Sequence, residues 1–512
     1  MPLHSILFDR PGIGEAPDEQ EPPDYFTDLR LDRVVTAITA GRDEYRLAPY
    51  FRATLDNVAT IHYRQEVFRD LEVPAIRRII ESLSDAMRAM REHLDHRAKV
   101  YNTYERARWF LAAAAVYCEA VGPLASDLVA AAPRSAGMCD LADYLTSLLA
   151  SDGFTTLLGD TRGLILKLNE IQYRLSVVGN RIRVSLQDAD EPDYSAEVAR
   201  TFAKFQQSAP KEYRFQFASP PWLNHVEAEV LDRVALLYPD TFADLESFGV
   251  RHERFLDETI RRFDREVQFY VAYLEHVERL RKTELSFCYP EVTDGSRSER
   301  GRATFDLALA AILVDEGTPV ITNDFSLDDP ERILVVSGPN QGGKTTFARM
   351  IGQLHHLAAI GCPVPGTESR LALVDRIFSH FEREEDLENL SGKLEEELRR
   401  IHVILGLATS RSLLIMNESF GSTTVHDALL LGREILGEIT ERDLLGVYVT
   451  FLDELASLGP TTVSMASTVE PDDPARRTFR IVRQPADGLA YALAIAEKHH
   501  VTYERVKARL AS

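Results

Sequence analysis

The sequence predicts an α/β P-loop nucleotide-binding domain at its C-terminal end, preceded by a mostly α-helical domain that carries a small β insertion. Three observations predict it. Gly338-Pro339-Asn340-Gln341-Gly342-Gly343-Lys344-Thr345 fits the pattern G-x-x-x-x-G-K-[ST] without mismatch. An apolar, β-branched run, Arg332–Ser337, precedes that loop, and a helical pattern opening at Thr346 follows it to about Ile360. Upstream of about residue 290 the apolar residues recur at three- and four-residue steps over long stretches, with one alternating pair of short runs between them.

Taken in order, residues 1–24 are rich in Pro, Gly, Asp and Glu and are expected to form a poorly ordered leader. The start, Met1–Ile6, has neither the basic region nor the long apolar stretch of a signal peptide. From Asp28 to about Ala132 the pattern is helical, punctuated at Pro74. Ile76, Ile79, Ile80, Leu83 and Met87 mark one buried stripe. The apolar stretch Trp109–Ala132 is interrupted by Glu119, Pro123 and Asp127, so a buried helix is expected there rather than a membrane span.

Residues 172–187 break this texture. Polar and apolar residues alternate on both sides of Gly179-Asn180, and a two-residue turn there pairs Val177 with Ile182 and Leu175 with Val184 on one face. Ser176 then faces Arg183 and Arg174 faces Ser185, which leaves the arginines on the exposed side. A second helical region runs from about His225 to Lys282, with Phe255, Ile260, Phe263, Val267 and Tyr270 on its apolar side. Helices this long suggest a lever arrangement. The expected domains are therefore 25–290, helical with the hairpin near 172–187, and 291–512, the P-loop domain.

Composition limits the function classes. The 512 residues suffice for about two to four domains. Cys118, Cys139, Cys288 and Cys362 show no C-x-x-C spacing, so neither a disulfide framework nor a zinc site is expected, and a reducing cytoplasm fits. The formal net charge of −22 opposes non-specific attraction to nucleic acid, so any DNA contact must be concentrated in a local basic patch.

The chemistry converges on the loop. Strand, glycine-rich turn and helix start bring the backbone N–H groups of Gly338, Pro339, Asn340, Gln341, Gly342 and Gly343 into range of a phosphate chain, proline's missing N–H excepted. Lys344 is expected to reach the β- and γ-phosphates of ATP, the Thr345 hydroxyl to ligate Mg²⁺, and Thr346 to open the helix beside them. The second strand such a fold needs is Ser412–Met416, followed by Asn417-Glu418. Glu418 is the candidate that polarises an attacking water, and Asn417 stands where an aspartate normally supports Mg²⁺. An amide oxygen can hold a metal-bound water but brings no charge, so slower hydrolysis is expected. A third strand, Leu444–Thr450, ends at Phe451. Ser391-Gly392 precedes a charged helix and could meet an anion supplied by a second subunit, although such a pair is usually only an N-cap.

These motifs, in this order, resemble the ATPase domain of the MutS mismatch-repair family. Gly338–Arg349 is similar to its G-P-N-M-G-G-K-S-T loop and helix, and Asp375-Arg376-Ile377-Phe378 to its D-x-I-F segment. Ala408–Glu418 resembles its A-T-x-x-S-L-V-L-x-D-E strand, Gly421–Ala428 the run that follows, and Gly488–Ala496 its closing segment. The resemblance covers about residues 300–508 and extends more weakly to Pro49–Gln65, similar to the start of the lever domain. It implies an ABC-type ATPase domain joined to levers, a homodimer that sandwiches ATP and Mg²⁺ with Ser391 reaching across, and binding to mismatched or branched DNA.

The sequence departs from the family at Asn417, at Phe451 where a switch histidine is expected, at Gly392 where the signature serine falls, and at His380 in place of an arginine. Nothing at the start resembles the small domain that inserts a phenylalanine wedge at a mismatch. Arg174, Arg181 and Arg183 are candidate DNA-backbone contacts, against the plainer reading of a solvated arginine face. The competing expectation is a nucleotide-gated scaffold with weak or no hydrolysis that recruits protein partners. A transporter-like ATPase subunit has no place for the helical half.

Overall fold

A computed structural model describes residues 4–10, 21–187, 200, 223–382, 392–470 and 473–485. The chain divides into two compact units, one built from residues 73–133 and 139–264, the other from residues 4–72, 134–138 and 265–512. The expected division at residue 290 therefore differs from the observed one, since the first fifty helical residues belong with the P-loop.

The first unit is helical. Pro74–Lys99 and Thr103–Ala131 pack against each other, with Ile76, Ile80, Leu83 and Met87 buried on the first and Trp109, Phe110, Tyr117 and Leu128 on the second. The second helix is long and apolar enough to cross a membrane by length and composition alone, and much of it is buried inside this unit. Its start is capped by Asn102, whose side chain accepts from the N–H groups of Tyr104 and Glu105. Edge-to-face rings tie it to its neighbours: Phe110 lies 5.3 Å and Tyr117 5.7 Å from Phe255.

The hairpin is present as β1 (Tyr173–Val178) and β2 (Arg181–Leu186), pairing Val177 with Ile182, Leu175 with Val184 and Ser176 with Arg183. Its expected apolar inner face is not buried: Leu175 is 50% and Val177 73% exposed. Alternation fixes register, but it does not guarantee a covering layer.

The second unit holds the remaining strands: β3 (Phe287–Cys288), β4 (Glu291–Thr293), β5 (Glu299–Thr304), β6 (Asn323–Leu327), β7 (Ile333–Ser337), β8 (Val364–Pro365), β9 (Glu368–Ala372), β10 (Ile377–Phe381), β11 (Leu413–Asn417), β12 (Leu445–Val449), β13 (Thr462–Glu470) and β14 (Asp473–Arg483). The main sheet has the order β10-β11-β12-β7-β13-β14. Its first five strands are parallel, and β14 returns antiparallel. A smaller sheet, β4-β9-β5-β6, and the pair β3-β8 complete the unit. The parallel strands Ile333–Ser337, Leu413–Asn417 and Leu445–Val449 are buried along their whole length, as continuous apolar runs covered on both faces must be. On one face, Ile401 and Leu405 of the helix Lys393–Leu407 and Ile435, Leu436 and Ile439 of the helix Val425–Glu441 pack on Leu414, Met416 and Tyr448.

The helix Lys344–Ala359 explains why the N-terminal segment joins this unit. It is buried nearly all round, and the polar groups this buries need partners. Residues 25–55 supply them. Gln353 Nε2 donates to Leu29 O (2.8 Å), Arg349 Nε donates to Asp28 O (2.8 Å), and Leu55 N donates to Ala359 O (2.9 Å).

The expected leader is also corrected at its start. Ser5, Ile6, Leu7 and Phe8 are buried, and Ser5 Oγ and Ile6 N both donate to Glu266 Oε2 at 2.9 Å. An apolar triplet outweighs the Pro/Gly-rich residues that follow it. The fully buried Arg64 donates to Leu7 O and Ile360 O, each at 2.9 Å, with the Phe8 and Phe269 rings 5.0 and 5.3 Å from its guanidinium.

Candidate functional site

The carboxyl ends of β7, β11 and β12 lie side by side, because Val336 pairs with Val449 and Val449 with Asn417. In an open parallel sheet this edge is where the loops, and the backbone groups freed by the ending strands, converge. Three segments leave it: Gly338–Gly343, Glu418–Phe420 and Thr450–Phe451. They are stitched together by Glu418 N donating to Val449 O (2.9 Å) and Thr450 N donating to Val336 O (3.0 Å).

The glycine-rich loop turns tightly into the helix Lys344–Ala359. Gly338 and Gly343 have φ of 113° and 92°, a region that glycine enters without the steric cost other residues meet. Gly342 is required by space instead. A Cβ there would lie 2.2 Å from Ser467 Oγ and 2.9 Å from Pro339 O. Ser467, on β13, donates to Gly342 O at 2.8 Å, so the neighbouring strand clamps the loop from behind.

Lys344 is 3% exposed, and its Nζ donates to Gly338 O (3.1 Å), Pro339 O (3.2 Å) and Asn340 Oδ1 (3.2 Å). Glu418 Oε1 is 3.6 Å from the same Nζ. Burial holds the Lys344 ammonium below the usual lysine range, while Glu418 pulls it back up. Thr345 and Thr346 open the helix half-buried. Gly338–Thr346 thus form one cradle, with a helix N-terminus and a single ammonium pointing into the loop. This arrangement can bind a phosphate chain.

Across from it, Asn417 ends β11 with 8% exposure, and its Oδ1 has no hydrogen-bond partner among the described residues. A buried, unpartnered amide oxygen beside a phosphate cradle suits a metal-bound water. No group of three His, Cys, Asp or Glu side chains fit to hold a metal occurs among the described residues. A divalent cation here would therefore take oxygens from the phosphates, from Thr345 Oγ1 and through Asn417. Glu418 has φ of 51° and Phe420 67°, so the turn carrying the candidate carboxylate is held in a sparsely populated conformation. Two side chains restrain it: Glu397 Oε2 accepts from Phe420 N at 3.0 Å, and His380 Nδ1 lies 3.1 Å from Ser419 Oγ.

The structure brings Gly338–Thr346, Asn417 and Glu418 together. Phe451 follows β12 at the same edge and is 47% exposed. Ser391 lies outside the described residues, as does the segment Gly488–Ala496, while Gly392 is described and is the N-cap of Lys393–Leu407. Arg174, Arg181 and Arg183 are exposed on the hairpin of the first unit.

Sequence reasoning missed Ser467, Glu397 and Arg477, whose Nε donates to Asn340 O at 3.3 Å. Ser467 lies on β13, whose residues carry no nucleotide-binding pattern of their own. Glu397 lies within a charged helix and carried no distinguishing pattern.

Comparison with known proteins adds an independent line. A family model, MutS domain V, matches residues 334–508. The DNA mismatch repair protein MutS of Chlorobium limicola is 32% identical over 221 residues, covering 42% of this chain and 25% of that protein. Endonuclease MutS2 of Thermus thermophilus is 32% identical over 189 residues, covering 36% and 25%. The DNA mismatch repair protein MutS of Chlorobaculum tepidum is 27% identical over 219 residues, with 42% and 25% covered. Each match spans a quarter of the relative's length, and the segment matched by the family model contains the loop Gly338–Thr345.

Proposed function

From the premise that the chain belongs to the MutS family, we propose that it binds Mg·ATP at the Lys344 loop, hydrolyses it slowly, and couples its nucleotide state to DNA. The observation that carries the reading is the placement of Lys344 Nζ. It is buried within reach of three loop oxygens and 3.6 Å from Glu418.

In this reading Gly338–Gly343 and Lys344 hold the phosphate chain, and Thr345 with Asn417 orients the metal. Mg²⁺, when bound, neutralises charge on the terminal phosphates. Glu418 accepts a proton from the attacking water and orients it. Asn417 supplies an oxygen without charge, which lowers metal affinity and slows turnover relative to an aspartate. Ser391 completes the site of a second copy in a homodimer. The long helices Pro74–Lys99, Thr103–Ala131 and Glu258–Arg281 act as levers, and Arg174, Arg181 and Arg183 contact DNA phosphates. Mismatched or branched DNA is the proposed ligand, and the cytoplasm the proposed location.

Calorimetry tests the core of this. Mg·ATP gives saturable heat with the full chain, and Lys344→Ala removes the tight component of it. Absence of heat with the unsubstituted protein overturns the reading. DNA is tested separately at low salt with ATP present, using duplex, mismatched and branched probes.

Asn417 and the exposed Phe451 favour a second reading, a nucleotide-gated scaffold that recruits protein partners. Steady-state turnover separates the two. Hydrolysis abolished by Glu418→Gln rejects the scaffold, whereas tight ATP binding without turnover supports it.

A further inference from the structure

At the foot of β10, a cleft of about 670 Å³ opens between that edge strand, the helix Lys393–Leu407 and the helix Ala48–Arg52. Phe381 pairs with Asn417, so the strand's far end reaches the loop edge. Its near end, at Asp375 and Arg376, therefore lies at the opposite end of the sheet from the candidate nucleotide site. The cleft is a second and separate concavity.

Four arginines line it, drawn from three elements. Arg52 comes from the last turn of its helix, Arg376 from the residue before β10, and Arg399 and Arg400 from successive positions on Lys393–Leu407. A solvated helix face would place its cations on one element at helical spacing. Convergence from three elements is a different arrangement, and it stands out in a chain of net charge −22.

Three carboxylates share the lining, Asp24, Asp375 and Glu396. Asp375 is already engaged, accepting from Thr409 Oγ1 (2.6 Å) and Ser412 Oγ (2.7 Å). Arg400 donates to Phe381 O at 3.4 Å. The guanidiniums of Arg376 and Arg399 are exposed and make no hydrogen bond or ion pair among the described residues. Two forked, permanently charged donors without a protein partner among the described residues thus belong to the lining of a concavity of small-molecule size.

We propose that this cleft binds a small phosphate-bearing polyanion, held by the forks of Arg376 and Arg399. Guanidinium matches phosphate oxygens two at a time, and such charge-assisted bonds are about twice as strong as neutral ones. Arg52 and Arg400 supply the surrounding positive potential. The assignment does not depend on nucleotide binding at Lys344.

The test uses the full chain carrying Lys344→Ala, which removes the other phosphate cradle, with inorganic pyrophosphate as the probe in calorimetry at low salt. Saturable binding is expected. The double substitution Arg376→Ala with Arg399→Ala weakens it tenfold or more, the charge-retaining pair Arg376→Lys with Arg399→Lys weakens it less, and Arg78→Ala on an unrelated surface leaves it unchanged. Circular dichroism and thermal midpoints confirm that each variant is folded. The proposal is overturned if pyrophosphate gives no saturable heat, or if a folded Arg376→Ala, Arg399→Ala protein binds it as tightly as its parent.

Discussion

Glu397 Oε2 accepts a hydrogen bond from Phe420 N at 3.0 Å, joining the helix Lys393–Leu407 to the strained turn that carries Glu418. Both groups are buried. Removing the carboxylate leaves a buried N–H unsatisfied, which costs about 1–3 kcal/mol. Glu397→Ala should therefore lower ATP turnover while ATP affinity stays within about twofold, because the cradle itself is untouched. Glu397→Gln keeps an acceptor oxygen and should retain most turnover. Equal turnover in all three proteins would show that the contact does not position Glu418.

The clamp between Ser467 and Gly342 is testable by a cycle. Gly342→Ala places a methyl 2.2 Å from Ser467 Oγ, so the loop must shift. ATP affinity should fall about tenfold or more, corresponding to about 1.4 kcal/mol of lost cradle contacts. Adding Ser467→Gly should restore part of it, but not all, since Pro339 O still lies 2.9 Å away. Titration of the four proteins with Mg·ATP measures the coupling.

Asn417→Asp restores a negative charge at the end of β11. Because Asn417 Oδ1 has no partner among the described residues, no existing hydrogen bond is lost by that oxygen. The apparent Mg²⁺ affinity for supporting hydrolysis should tighten by about tenfold, with higher turnover. Steady-state rates across a Mg²⁺ titration check it, and an unchanged Mg²⁺ dependence would count against the metal role of residue 417.

His356 gives a pH dependence with a defined sign. Its Nε2 lies 2.8 Å from Phe51 O and its Nδ1 3.1 Å from the Tyr25 hydroxyl, the pattern of a neutral ring. Burial pushes its pKa down to about 4 from the ordinary 6.5. The unfolded chain therefore binds the proton first, and stability is full above pH 6.5 and is lost as pH falls towards 4. The expected loss is on the order of 3 kcal/mol. Urea midpoints between pH 7 and 4 should fall, and His356→Gln should flatten that slope.

Arg174, Arg181 and Arg183 are exposed on a two-stranded hairpin. Replacing all three by alanine should weaken DNA binding uniformly across sequences and reduce the salt slope by up to about 3. An unchanged slope would return them to an ordinary solvated face.

The candidate nucleotide edge was legible because its signals are local. The loop, the apolar run ending at Asn417-Glu418 and the run ending before Phe451 each carry their own pattern, and a parallel sheet brings such ends together without further information. The hairpin register was legible for the same reason, since Gly179-Asn180 fixes the turn. What the sequence hid depends on distant partners. Whether Val177 is covered, whether Ile6 and Leu7 find a core, and which unit takes residues 25–55 are decided by surfaces far away in sequence. Glu397 and Ser467 belong to that class, because each acquires its role only when another strand or turn arrives beside it.

Arg64 carries a practical corollary. One of its two carbonyl acceptors is Leu7 O, and the Phe8 ring lies against its guanidinium. Trimming the first ten residues to tidy an expression product would strand a dry cation at the foot of the Lys344–Ala359 helix. Purification tags are better placed before Met1 without deletion, since a shortened start would be read as instability of the whole second unit.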